Sequence, residues 1–107
     1  MFTRVVELRS KSGKSKELSS TIHENIIPIL KKQRGFVDEV VLVSDTEPTR
    51  VLGISFWDTK QDAERYHGEE YPKIHDSLRH VLDGDPTIRT FVVHSSTTHR
   101  IEGGKAA

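Results

Sequence analysis

Trp57, Tyr66, Tyr71 and His75 follow one another where a strand-like stretch gives way to a helical one. They are of the types that wall an aromatic pocket and move protons within it. Tyr71 and His75 stand at i and i+4, which puts them on one helix face. A histidine whose pKa is tuned close to neutrality is a natural general base, and aromatic rings suit a flat ligand. Each residue also has a plainer reading. A single tryptophan at a strand end serves as a core anchor. Tyrosines can close a helix core with their hydroxyls in water, and a histidine on an apolar stripe can simply pack.

Other chemistries lack their residues. There is no cysteine, which removes disulfides, thiolate metal sites and Cys nucleophiles together. The histidines His23, His67, His75, His80, His94 and His99 form no i,i+4 pair, so no metal site is expected. No Gly-rich phosphate loop and no Gly-x-Ser-x-Gly elbow is present. Lys and Arg number 16 against 16 Asp and Glu, a balance unlike that of a chain built to hold phosphate backbones. No nucleic-acid partner is expected, and Lys11, Lys14 and Lys16 read as a solvated helix start. No apolar stretch approaches the ~20 residues of a membrane span. Met1 to Arg9 lacks the apolar run of a secretory leader, so a cytoplasmic location is expected.

The elements that must position these residues follow from hydrophobic period. Met1 to Arg9 alternates as a first strand. From Lys14 to about Gln33 the period lengthens: Leu18, Ile22, Ile26, Ile29 and Leu30 line one side of a helix, which Pro28 should bend and Gly35 should end. Phe36 to Ser44 and Arg50 to Trp57 form a hairpin across the polar turn 45–49. Gly53 marks a bulge or a close approach. Asp58 or Thr59 can cap a second helix, and Asp58 with Gln61 resembles a capping box. Gly68 interrupts this helix and Pro72 suits its resumption. Tyr71, Ile74, His75, Leu78, Val81 and Leu82 form its stripe. After the stop at Asp83-Gly84-Asp85-Pro86, Thr87 to Ser95 is a fourth strand. The order β-α-β-β-α-β gives the ferredoxin-like α+β arrangement: a four-stranded antiparallel sheet with two helices on one face. Residues 1–95 make one domain, and 96–107 a polar tail expected to be mobile unless a partner holds it.

The strands are apolar on both faces. Val37, Val41 and Val43 alternate with Phe36, Val40 and Leu42; Leu52, Ile54 and Phe56 oppose Val51 and Trp57; Ile88 and Val92 oppose Phe91 and Val93. Two helices cover one face only, and a wet second face would read polar at alternate positions. A second copy of the chain is the economical cover, so a homodimer is expected.

The stretches FTRVVELR with KSGKSKEL, IIPILKKQRGFVDEVVLVSD and VLGISFWDTKQDAERYH resemble the antibiotic biosynthesis monooxygenase family, over about Phe2 to Ser95. The most specific sign is the strand ending in an aromatic pair, then a polar cap and a helix opening Lys-Gln-Asp-Ala. The resemblance implies a dimeric α+β barrel in which two sheets pack face to face and each subunit keeps a pocket between its sheet and helices. It also implies oxidation of a phenol, quinol or polyketide-like aromatic by molecular oxygen with no cofactor. On that reading His75 and Trp57 are the candidate catalytic residues, and Tyr66, Tyr71, Phe56 and Phe91 the candidate substrate contacts. The rival is a non-enzymatic dimeric binding or stress-response protein of the same fold. Haem breakdown, another activity of such relatives, is disfavoured: their strand asparagine falls at Val6, their helix tryptophan at Tyr66, and their axial histidine only near His75. An RNA-recognition module shares the topology, but Val51 to Trp57 lacks its spaced aromatics.

Overall fold

The computed structural model describes residues 1–101. β1 (Phe2–Arg9) leads into a helical run made of α1 (Ser15–Thr21), a wide π turn (Ile22–Ile26) and α2 (Ile27–Lys31). β2 (Phe36–Val43) and β3 (Arg50–Trp57) form the hairpin, α3 (Lys60–Glu69) and α4 (Tyr71–Leu78) follow, and β4 (Thr87–Val92) closes the chain order. The sheet runs β2-β3-β1-β4 with every neighbouring pair antiparallel. This is the ferredoxin-like α+β fold that the element order implies.

The first helical run is irregular just before Pro28, where Ile22–Ile26 form a π turn. Leu18, Ile22, Ile26 and Leu30 are all buried, each four residues from the last. On a helix of 3.6 residues per turn that spacing would rotate the stripe by about 120° over its length. The π turn takes up the extra residue and keeps the stripe on the sheet. It also relieves the proline, because the Ile27 N–H reaches back to the Ile22 carbonyl and the ring at Pro28 no longer crowds a tight turn.

The second helix breaks at Glu70, so that Gly68 stays inside α3 and Pro72 sits in the first turn of α4. Its cap lies one residue later than the Asp58–Gln61 pairing suggests. The Asp58 N–H is committed to the Gly35 carbonyl at 2.8 Å. Thr59 caps instead: its hydroxyl accepts from the Asp62 N–H at 3.1 Å and donates to the Asp62 carboxylate at 2.8 Å.

On the helix-facing side of the sheet, Phe2, Arg4, Val6 and Leu8 of β1 and Val51, Ser55 and Trp57 of β3 are buried. The pairing of β2 with β3 slips between Phe36 and Asp38. This bulge corrects the parity expected for the strand: Phe36 stands on the inner face opposite Trp57, edge-on at 5.6 Å, not beside Val40 and Leu42. The other face carries Val5, Val40, Leu42, Leu52, Ile54, Phe56 and Phe91 by register, and Leu42 and Phe91 remain 45% and 50% exposed. Glu7 holds Arg50 at 3.1 Å and Arg89 at 3.8 Å at one end of that face. At the other end the tail lies against the sheet, with His99 over Phe56 at 5.8 Å and 3.6 Å from the Asp38 carboxylate. Ile101 is buried outside the main core. Of the tail read as mobile, residues 102–107 lie outside the described residues. Among those described, no helix is long and apolar enough to cross a membrane.

Gly35 joins the two halves. Its φ is +80°, and a Cβ there would run into the Asp62 carboxylate. Gly35→Ala should therefore cost about 1–3 kcal/mol by denaturant unfolding. Gly84→Ala is the control: its φ is +83° with open space around the new Cβ, so it should cost less, by the steric share.

Candidate functional site

Between the sheet and the helices lies a cavity that opens to the surface. Its walls are apolar: Val6 and Leu8 from β1, Ile22, Ile26 and Leu30 from the first helical run, and Ile74 and Leu78 from α4. Tyr66, Tyr71 and His75 line it from α3 and α4. The floor is polar. Glu39 of β2 pairs with Ser55 of β3, which pairs with Arg4 of β1, which pairs with Thr90 of β4. Because neighbouring strands present in-register residues on the same face, these four side chains form one row across the inner side of the sheet.

Arg4 is the centre of this row. It is only 4% exposed, and burial pulls its pKa below the usual arginine value. Its guanidinium donates to His67 Nδ1 at 3.0 Å and lies over the rings of Tyr71 and Tyr66, 4.7 Å and 5.3 Å from their centroids. A guanidinium against aromatic faces is attracted by the ring quadrupole. His67, Tyr71 and His75 stack in sequence, at 5.4 Å and then 6.2 Å between centroids. Burial raises the pKa of both Tyr66 and Tyr71, so both hydroxyls are neutral at ordinary pH. Burial and the neighbouring Arg4 together lower that of His67.

Glu39 faces Arg4 along the row without an ion pair; among the described residues no cation comes within 4.0 Å of its carboxylate. Its Oε2 is buried and meets no hydrogen-bond partner among them. A Cβ at Gly53 would come 3.3 Å from Oε1, so the glycine that read as a bulge or a close approach is a close approach, making room for this carboxylate. Loss of hydration pushes the Glu39 pKa from 4.5 up to about 7, against the opposing pull of Arg4 and with a further upward push from Asp38.

Tyr66, Tyr71 and His75 are thus brought together around one cavity. Trp57 is not part of its lining. It is fully buried behind Tyr66, 5.2 Å away, and its indole N–H donates to Ser55 Oγ at 2.9 Å. Phe56 and Phe91 stand on the opposite side of the sheet, because strand parity sends them away from Trp57, Arg4 and the helices. Arg4 and Glu39 were absent from the sequence-derived set. The signal was there: each is a charged residue at an inward position of an otherwise apolar strand. Among the described residues no cluster of His, Asp and Glu is arranged to hold a metal ion.

A ferredoxin-like sheet with an apolar, polar-floored cavity under its helices makes this an α+β domain with a pocket between sheet and helices. A family model for antibiotic biosynthesis monooxygenases matches residues 1–75, and the chain belongs to that family. Its fold is similar to that of SnoaB, a cofactor-independent oxygenase from Streptomyces nogalater, with a TM-score of 0.76 at 16% identity over 92% of this chain and 97% of that one. It is equally similar to a monooxygenase from Streptomyces coelicolor in complex with nanaomycin D, with a TM-score of 0.76 at 15% identity over 92% of each chain. A conserved protein from Methanosarcina mazei gives a TM-score of 0.72 at 19% identity, over 85% of this chain and 91% of that one. No curated protein sequence matches the chain.

The raised pKa of Glu39 has a signed consequence for stability. The folded protein holds this proton up to about pH 7, whereas the unfolded chain releases it near pH 4.5. Stability therefore falls as pH rises through that window, by at most ~3 kcal/mol. Glu39→Gln removes the titration. The melting temperature of the variant relative to the parent should rise between pH 4.5 and pH 8, and a difference independent of pH would show that the carboxyl ionises normally.

Proposed function

We propose that this protein is a cofactor-independent monooxygenase that oxidises a phenol, quinol or polyketide-like aromatic in the cavity, with molecular oxygen as the second substrate. Family membership supports the reaction class. The observation that carries the substrate class is the cavity itself: apolar walls for flat rings, and one buried cation and one carboxylate on the floor for a polar edge. In such a reaction the substrate supplies the electrons. A phenol with a free ring position becomes a quinone while one oxygen atom enters the ring and the other leaves as water, so that phenol plus O₂ gives quinone plus H₂O. The pocket must hold the ring, favour the electron-rich phenolate, and exclude bulk water.

His75 is the proton-transfer group of this proposal. It is half-buried and borders both the cavity and an outer depression formed by Arg79, Leu82, Gly84 and Asp85, a position suited to exchanging protons with solvent. Trp57 acts behind the wall, fixing the Tyr66 ring and the Ser55 hydroxyl. The open sheet face, with Phe56 and Phe91, is the surface we assign to a second copy of the chain; its apolar middle and charged ends fit a twofold contact.

Oxygen uptake by purified protein with a panel of simple phenols, quinols and anthrols should exceed that in buffer. Uptake no faster than in buffer across the panel would favour the non-enzymatic binding reading. His75→Ala should slow oxidation by about 10²–10⁴-fold with little change in melting temperature, whereas a packing role would appear as lost stability at unchanged rate. The parent should sediment as a dimer, and Ile54→Asp, which places a charge in the middle of the open face, should abolish that species; a well-behaved parent monomer at micromolar concentration would overturn the dimer.

A further inference from the structure

Arg4 and Glu39 stand two strands apart on the cavity floor, with Ser55 between them in the same row. Adjacent strands are about 4.8 Å apart, so their backbones are separated by roughly 10 Å. No direct ion pair closes that gap, and Glu39 Oε2 is buried with no hydrogen-bond partner among the described residues. Ser55 Oγ accepts from the Trp57 indole and therefore keeps its own proton to donate. The row is a set of groups complementary to a hydroxyl that loses its proton: an acceptor on one side, a donor below, and a cation on the other side for the resulting oxyanion.

Resting on the reading of the cavity as a phenol-oxidising site, we propose that Glu39 is the general base that removes the phenolic proton and that Arg4 holds the phenolate. The substrate then binds with its hydroxyl against the sheet and its rings up among the helix side chains. The phenolic O–H bond breaks, its electron pair stays on the phenolate oxygen, and a new O–H bond forms at Glu39 Oε2. No electron leaves the substrate in this step, and the net charge of the floor is unchanged. Oxidation by O₂ follows, with His75 at the mouth returning protons to solvent.

The other groups around Glu39 are unsuited to the role. Arg4 from β1 is the cation. Asp38, beside it on β2, is turned to the opposite face of the sheet, where it meets His99. Tyr66 from α3 and Tyr71 from α4 are neutral, and His67 already accepts from Arg4. The Glu39 carboxyl, titrating at about pH 7, is balanced between holding and accepting a proton where the cell operates.

The test uses 2-naphthol, a phenol that ionises well above neutrality, and follows binding under nitrogen by its absorption spectrum. Bound to the parent at pH 8, it should show the phenolate band, and its affinity should rise with pH and level off above about pH 7. Glu39→Gln should keep the band, because Arg4 remains. Its affinity should instead match the parent's below about pH 7 and then keep climbing roughly tenfold per pH unit up to the phenol's own ionisation, to about 100-fold above the parent's plateau by roughly pH 9. Arg4→Gln should lose the band. If Glu39→Gln does not fold, Glu39→Asp serves: a retained plateau with weaker binding supports the assignment, and a climb to the phenol's own ionisation overturns it. Neutral naphthol bound to the parent, or a Glu39→Gln profile identical to the parent's, also overturns it. Oxygen uptake, measured separately in air, keeps the two readings apart. A phenolate band without uptake on any phenol of the panel removes the oxidation and leaves the proton assignment. Uptake with an unchanged Glu39→Gln profile does the reverse.

Discussion

A guanidinium is buried on the inner face of the sheet, and much of the molecule is arranged around it. Arg4 sits in β1 between Phe2 and Val6, where the alternation calls for an apolar side chain. Removing a cation from water costs several kcal/mol unless hydrogen bonds and opposite charge compensate it. His67 supplies a hydrogen bond, Tyr66 and Tyr71 supply ring faces, and Glu39 supplies negative charge along the row. These four come from three different elements. Arg4 therefore ties the packing of α3 and α4 to the centre of the sheet.

That tie explains the break in the second helix. Tyr66 and Tyr71 are five residues apart, and on an unbroken α-helix their side chains would diverge by about 140°. Both rings nevertheless meet one guanidinium. The interruption at Glu70, followed by Pro72 in the first turn of α4, turns the second ring back toward the first. The π turn in the first helical run has a matching effect on the other wall, holding Ile22, Ile26 and Leu30 on the cavity. Both irregularities face the same space, so the walls on each side owe their shape to a departure from regular helix. Gly53 completes it from below, since a larger side chain there would press on the Glu39 carboxylate.

The strand and helix order was legible because each element has a clean period, and the hairpin strands begin and end close to where the turn residues put them. What the sequence left hidden has three physical causes. Parity separates Phe56 from Trp57 but does not say which face the helices cover, so Phe56 and Phe91 entered the candidate pocket from the wrong side of the sheet. A one-residue bulge is invisible to parity, and it moved Phe36 to the inner face. Arg4 and Glu39 were passed over because a stripe is recognised by its apolar members. Only the register, which aligns both with Ser55, brings them onto one row. Tyr66, Tyr71 and His75, singled out by residue type and spacing, line one cavity from two helices, α3 and α4.

The row also bears on why the cavity is not a filled core. Replacing a buried charged set with well-packed apolar residues of the same volume is often neutral or stabilising. Glu39 is a net cost in the folded chain: its ionised form is desolvated, its Oε2 is unpartnered, and its attraction to Arg4 acts over a gap. Stability alone would favour closing that gap with a direct ion pair or filling it with a branched side chain in place of Gly53. The fold does neither; it holds the two charges apart with a serine between them, under apolar walls. A site that discriminates through buried polar groups pays for this in free energy, because those groups are satisfied only by the correct ligand. The separation of Arg4 from Glu39 is thus the feature that distinguishes a receptive floor from a structural salt bridge.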